Sequence, residues 1–222
     1  MDSRAGSASA SPDATDRRTL DTRVYEQLRE AIMNGSFKPG EVVTLRGLAA
    51  MLGTSLMPVR NAVNRLAVEH AFIAKPNRSI ALPRLTVRQF DEVTQIRLAL
   101  EPLAARLGAR NIDAAGIEAL AAINERMRDA RPTEYFRLNQ ELHFGLYAAA
   151  DSEMLFNLIR GTWLRIGPLL NHIGAEDIGL ASASHDWPIA ALRRSDPEDV
   201  AASIEADIRS AAHMLRPHLS DS

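Results

Sequence analysis

The sequence has no cysteine. That excludes disulfides, thiolate metal sites and thiol nucleophiles. No apolar run approaches the ~20 residues a membrane helix needs. The opening residues carry Asp2 and lack the apolar core of a secretory signal, so a cytoplasmic location without a membrane partner is expected. A Gly-rich phosphate loop, a Ser-His-Asp arrangement and a paired-carboxylate motif are also missing. No catalytic residue is therefore assigned, and an enzyme is not expected. Net charge is slight too, at −2 over 222 residues.

That small net charge hides an asymmetry. Residues 17–84 hold 11 Lys and Arg against 5 Asp and Glu, whereas residues 85–222 hold 14 against 20. The split implies a basic first module and an acidic second one, with the first facing a polyanion. The predicted boundaries are a disordered tail at 1–16, a first domain at 17–84 and a second at 85–222. The tail is Ser, Ala, Asp and Pro without periodicity.

From Leu20, Val24, Leu28, Ala31 and Ile32 share a helical face, and Asn34-Gly35 is a stop signal. Phe37-Lys38-Pro39-Gly40 makes a turn. Leu45, Leu48, Ala49 and Leu52 then predict a short amphipathic helix. Gly53 allows the positive φ of a tight corner, and Ser55 can cap the next helix. That second helix places Val59, Val63 and Leu66 inward, with Arg60, Asn61, Asn64 and Arg65 outward. This is a helix-turn-helix pattern, although an ordinary helical hairpin with a solvated basic face would read similarly. Phe72–Lys75 and Ser79–Leu82 are β-like runs around the turn Pro76-Asn77-Arg78. Three helices and a hairpin make a winged helix, with Arg78 at the wing tip able to reach backbone or minor groove.

The run IMNGSFKPGEVVTLRGLAAMLGTSLMPVRNAVNRLAVEHAFIAKPNRSIALPRL resembles the DNA-binding half of the GntR family of bacterial transcription regulators. Gly35, Pro39-Gly40, Leu48-Ala49, Leu52-Gly53, Ser55, Pro58-Val59-Arg60 and Arg65-Leu66 carry the likeness. The resemblance implies that Arg46, Ser55 and Arg60 touch operator DNA, flanked by the wing around Asn77-Arg78. Four positions depart from the family. Leu56 stands where an arginine usually reads a base, Asn61 replaces a glutamate, and His70 and Ser79 replace glycines. Loss of a bidentate arginine–guanine contact removes ~1–3 kcal/mol of discrimination. The operator should differ accordingly, while binding through phosphates survives.

After Leu85 the pattern is helical, and six helices are predicted. Their inward residues are Val87, Phe90, Val93, Ile96, Leu100, Leu103 and Leu107; then Ile117, Leu120, Ile123 and Met127 after Asp113. Tyr135, Leu138, Leu142, Leu146 and Tyr147 come after Pro132, and Leu155, Ile159, Trp163 and Ile166 after Asp151-Ser152. A fifth helix covers roughly 182–194, and Ser195-Asp196-Pro197 opens a sixth to about His218. The fold class is mainly α: a winged helix-turn-helix and then a six-helix bundle.

RLALEPLAARLGA and LNQELHFGLYAAADSEML resemble the FCD effector-binding domain of the family's FadR branch, and six helices suit its VanR-like subgroup. That resemblance implies a divalent metal (Zn, Mn, Ni or Fe) held by Asn139, His143, His185 and Asp207. Asp207 stands where the family has a histidine. Two imidazoles and a carboxylate suit such metals, with Asn139 as a weaker neutral ligand. Without a metal, His143 reads as a packed core histidine and Asp207 as a solvated carboxylate.

Arg97, on the apolar face of its helix, requires an anionic partner. The family's arginine here grips an effector carboxylate, while the local alternative is an ion pair with Glu101. Tyr135, Tyr147, Arg165 and Asn171 are candidates for the same cavity. His172, His213 and His218 read as surface or packing residues, and Trp163 and Trp187 as core.

The implied function is a ligand-responsive regulator, a homodimeric repressor that binds palindromic operator DNA with half-sites about one helical turn apart or a multiple of it. Its effector is a small organic acid. The alternative is a metalloenzyme that uses the two histidines and the carboxylate.

Overall fold

A computed structural model describes residues 12–75, 79–174 and 185–219, with side chains from Thr19 onward. The chain divides into two units. The first is Met1–Glu30 with Val42–Ala81, and the second is Ala31–Glu41 with Leu82–Ser222.

The first unit takes most of α1 (Pro12–Met33), then β1 (Val42–Thr44), α2 (Leu45–Met51), α3 (Leu56–Val68), β2 (Ile73–Ala74) and β3 (Ser79–Ala81). The helix begins at Pro12, so residues 12–16 are helical where a tail was expected; residues 1–11 lie outside the described set. Proline suits a first helical position. Val24, Tyr25, Leu28, Leu48, Val59, Ala62, Leu66 and Phe72 are buried core residues.

The sheet is antiparallel in the order β1-β3-β2, with Val43 opposite Ile80 and Ile73 opposite Ala81. The sequence disclosed only the hairpin. Val42, Val43 and Thr44 are β-branched and fit a strand, but three residues are too few to display alternation. Thr44 then caps α2, its hydroxyl accepting from the Gly47 N–H at 3.0 Å. Gly53 takes the positive φ of the corner, +61°. Ser55 occupies the N-cap of α3 in extended backbone, yet its side chain makes no capping bond. His70 sits at φ +59°, a left-handed conformation suited to the glycine usual there.

The second unit is α4 (Val87–Asn111), α5 (Ala114–Arg128), α6 (Pro132–Ala148), α7 (Glu153–Ile166) with a 3-10 continuation Gly167–His172, α8 (Asp186–Arg193) and α9 (Pro197–Leu215). The start predicted for the fifth helix, 182–184, lies outside the described residues. The sixth tightens to 3-10 over Arg216–His218. Helix starts match their caps. Thr86 and Gln89 form a capping box, and Asp113, Ser152 and Asp196 each accept an N–H in the first turn.

Helix α4 packs on α6, α7 and α9. Its buried face follows the large apolar residues only in part, with Phe90 buried and Val93 packed on the core. Ile96 is 42% exposed and Leu103 41%, while Arg97, Glu101, Ala104, Ala105 and Gly108 are buried. Small residues explain the rotation. A Cβ on Gly108 would sit 2.2 Å from the Leu146 carbonyl oxygen, so α6 approaches α4 backbone closely there. Trp187, expected in the core, is 42% exposed and donates to Asp199 at 2.9 Å.

Candidate DNA-reading surface and metal centre

In the first unit Arg46, Ser55 and Arg60 are exposed. Arg46 and Arg60 make no ion pair among the described residues. Arg60 and Asn64 of α3 and Lys75 and Ser79 of the wing line one surface cleft of about 520 Å³. Arg78 and Asn77 lie outside the described residues. Leu56 and Met57, on the first turn of α3, are 41% and 65% exposed. Asn61 is held by Asp21, to which its amide donates at 2.8 Å.

Arg65 serves a different purpose from Arg60. Its guanidinium lies 3.7 Å from the Tyr25 ring centroid, a cation–π contact. The Tyr25 hydroxyl donates to Glu69 at 2.6 Å and accepts from Arg29. Burial, helped by Glu69, pushes that hydroxyl's pKa up to about 12.

In the second unit α6, α9 and the start of α8 bring His143, Asp207 and His185 together. The two Nε2 atoms are 3.4 Å apart. Asp207 lies 3.5 Å from the Nε2 of His143 and 3.7 Å from that of His185. These separations are long for hydrogen bonds. The two distances to Asp207 run to different oxygens, Oδ2 and Oδ1, and one donor atom from each of the three side chains lies within 4.8 Å of the others, near the spacing that ligands ~2.1 Å from one ion would take. His143 is fully buried, and that desolvation brings its pKa down to about 4. The ring is neutral at physiological pH, so a cation would not compete with a proton for it. The donor set fits a divalent ion.

Asn139, one turn before His143, lines the adjoining cavity with Arg97, Tyr135, Trp163, His185 and Asp207. Its amide has no hydrogen-bond partner among the described residues. The cavity measures about 50 Å³, enough for an ion and very few waters. Burial, with Asp207 nearby, drives the Tyr135 pKa well up.

Arg97 forms the local pair. Its Nε donates to Glu101 at 2.5 Å and its Nη2 at 3.2 Å, while Nη1 has no protein partner among the described residues. Burial opposes the charge, but Glu101 outweighs it and raises the Arg97 pKa. Of the other candidates, Tyr147 donates to Glu101, as does Trp163, which was read as core. Asn171 instead ties down backbone, donating to the Gly35, Phe37 and Pro168 carbonyls. Arg165 does not line this cavity. His172 and His218 are exposed and stacked, with ring centroids 5.0 Å apart, and His213 is exposed. Glu101 was legible only as a partner for Arg97, since nothing in its spacing announces contacts to helices α6 and α7.

A winged helix with exposed arginines, followed by a helical domain, defines the class: a transcription regulator. The chain belongs to the GntR family of bacterial regulatory proteins and carries its FCD domain. The family models match residues 20–82 and 92–210 respectively. It is 27% identical over 188 residues to the HTH-type transcriptional regulator McbR of Escherichia coli K12, covering 81% of this chain and 85% of that protein. The solved structure of E. coli McbR/YncC superposes with a TM-score of 0.83 at 25% identity, covering 90% of this chain and 98% of that one. It is also 28% identical over 195 residues to the "Probable D-xylose utilization operon transcriptional repressor" of Paenarthrobacter nicotinovorans, covering 84% of this chain and 86% of that protein. The family and these relatives are regulators, so the metalloenzyme alternative falls. No described helix is long and apolar enough to cross a membrane.

Proposed function

We propose that this chain is a cytoplasmic homodimeric repressor whose FCD domain senses a small carboxylate beside a divalent metal ion. Arg46, Ser55 and Arg60, with Arg78 of the wing, contact operator DNA. Asn139, His143, His185 and Asp207 hold the metal. The observation that supports the sensing role is the cluster of His143, His185 and Asp207, whose donor atoms lie within 4.8 Å of one another, beside a cavity that Arg97 lines. A bound cation would supply positive charge there, favouring a carboxylate that the free Nη1 of Arg97 can also bind. Zn, Mn, Ni and Fe all suit the donors.

Dimerisation is supported by α4 and α7, which pack together. They leave Ile96, Leu103, Met154 and Leu158 exposed, Met154 at 78%. Such apolar exposure favours a partner surface. Repression is supported by the xylose-operon relative's name. The effector would then release DNA by shifting the population away from the operator-binding state.

The test has two arms. Duplex DNA from upstream of the chain's own coding region is titrated across a salt series, with a steep fall in affinity expected. Small organic acids are then screened by thermal shift with and without chelator, and upshifts that vanish with chelator are expected. No duplex affinity in dilute buffer refutes the operator reading. Upshifts indifferent to chelator refute the metal.

A further inference from the structure

Glu101 has no exposed surface and accepts four hydrogen bonds. Two come from Arg97, one from the Tyr147 hydroxyl at 2.9 Å and one from Trp163 Nε1 at 3.1 Å. A carboxylate paired with arginine has no proton to give, so the Tyr147 hydroxyl spends its single hydrogen on Glu101. The tyrosine oxygen also lies 3.0 Å from His143 Nδ1. It can only accept there, which requires the hydrogen to be on Nδ1.

We infer that Tyr147 and Glu101 are positioning residues that hold neutral His143 as its Nδ1–H tautomer, presenting a bare Nε2 to His185 and Asp207. The purpose rests on the metal reading; the tautomer itself does not. Asp207, 3.5 Å from Nε2, would otherwise draw the proton to that side and block coordination there. Partners one bond behind a ligand commonly fix its tautomer and orientation in this way. Here the same carboxylate also holds Arg97, so one buried anion anchors both the metal-binding ring and the cavity's arginine.

The decisive measurement is the 15N spectrum of histidine-labelled, metal-free chain at pH 7.5, with the His143 signals assigned by substitution. Nδ1–H is expected for the wild type. Tyr147→Phe should move His143 to Nε2–H and weaken Zn2+ affinity about 10- to 100-fold, with helical circular dichroism retained. An Nε2–H wild type overturns the inference, as does a Tyr147→Phe chain with unchanged tautomer and Zn2+ affinity. If that variant fails to fold, the wild-type spectrum decides alone. A wild type that ignores Zn2+ yet shows Nδ1–H upholds the relay while refuting the metal reading.

Discussion

The two units keep their candidate site residues in opposite states. In the winged helix Arg46 and Arg60 stand in solvent, uncommitted. In the bundle Arg97, Glu101, His143, Tyr147 and Trp163 are buried and bonded to one another. A surface that meets a polyanion can leave its charges hydrated until contact. A buried site has no such freedom, because each polar group must be satisfied internally. A substitution at those exposed arginines should therefore cost binding and little stability, whereas one within the buried set should cost both.

The largest expected break in that contrast is Glu101→Ala. Removing one partner of a buried pair costs about 3–5 kcal/mol, and here Tyr147 and Trp163 are orphaned too. Both tryptophans of the chain lie in the second unit, so urea unfolding tracked by their fluorescence reads it selectively. A loss under ~1 kcal/mol would show that the interior network is not structural.

Next comes pH. The His143 pKa is about 4 in the folded chain against 6.5 ordinarily, so the unfolded chain binds more protons between those values. Stability is full above about 6.5 and falls as pH drops toward 4, by on the order of 3 kcal/mol. Metal-free protein melted across that window should show the decline, and His143→Gln should lessen it. Equal slopes would refute the burial effect.

Arg60→Ala should weaken duplex binding about tenfold and lower the salt slope by about one, with the melting temperature unchanged. A drop in melting temperature would mean that this arginine is committed after all. The smallest pair lies within the motif. Thr44→Ala should cost about 1 kcal/mol through its lost cap, whereas Ser55→Ala should stay within about 0.5 kcal/mol. Hydrogen exchange of α2 and α3 amides compares the two, and equal protection losses would place a cap at Ser55.

The same contrast explains what the sequence disclosed. The helix-turn-helix was legible because its turn and inward residues are local: Gly53 adopts the positive φ expected, and Val59 and Leu66 are buried. His143, His185 and Asp207 were grouped by resemblance, and their approach depends on three helices that no local pattern positions. The face of α4 was legible only in part: Phe90 and Arg97 are buried as read, but Ile96 and Leu103 are not, because close helix contact selects small residues such as Ala104, Ala105 and Gly108. Strand β1 escaped notice for its brevity. Glu101 escaped because its contacts on α6 and α7 lie 46 and 62 residues away.

The narrowness of the bundle cavity, about 50 Å³, bears on what can share it with an ion. Anything larger than an ion with a few waters would enter only as the surrounding side chains gave way.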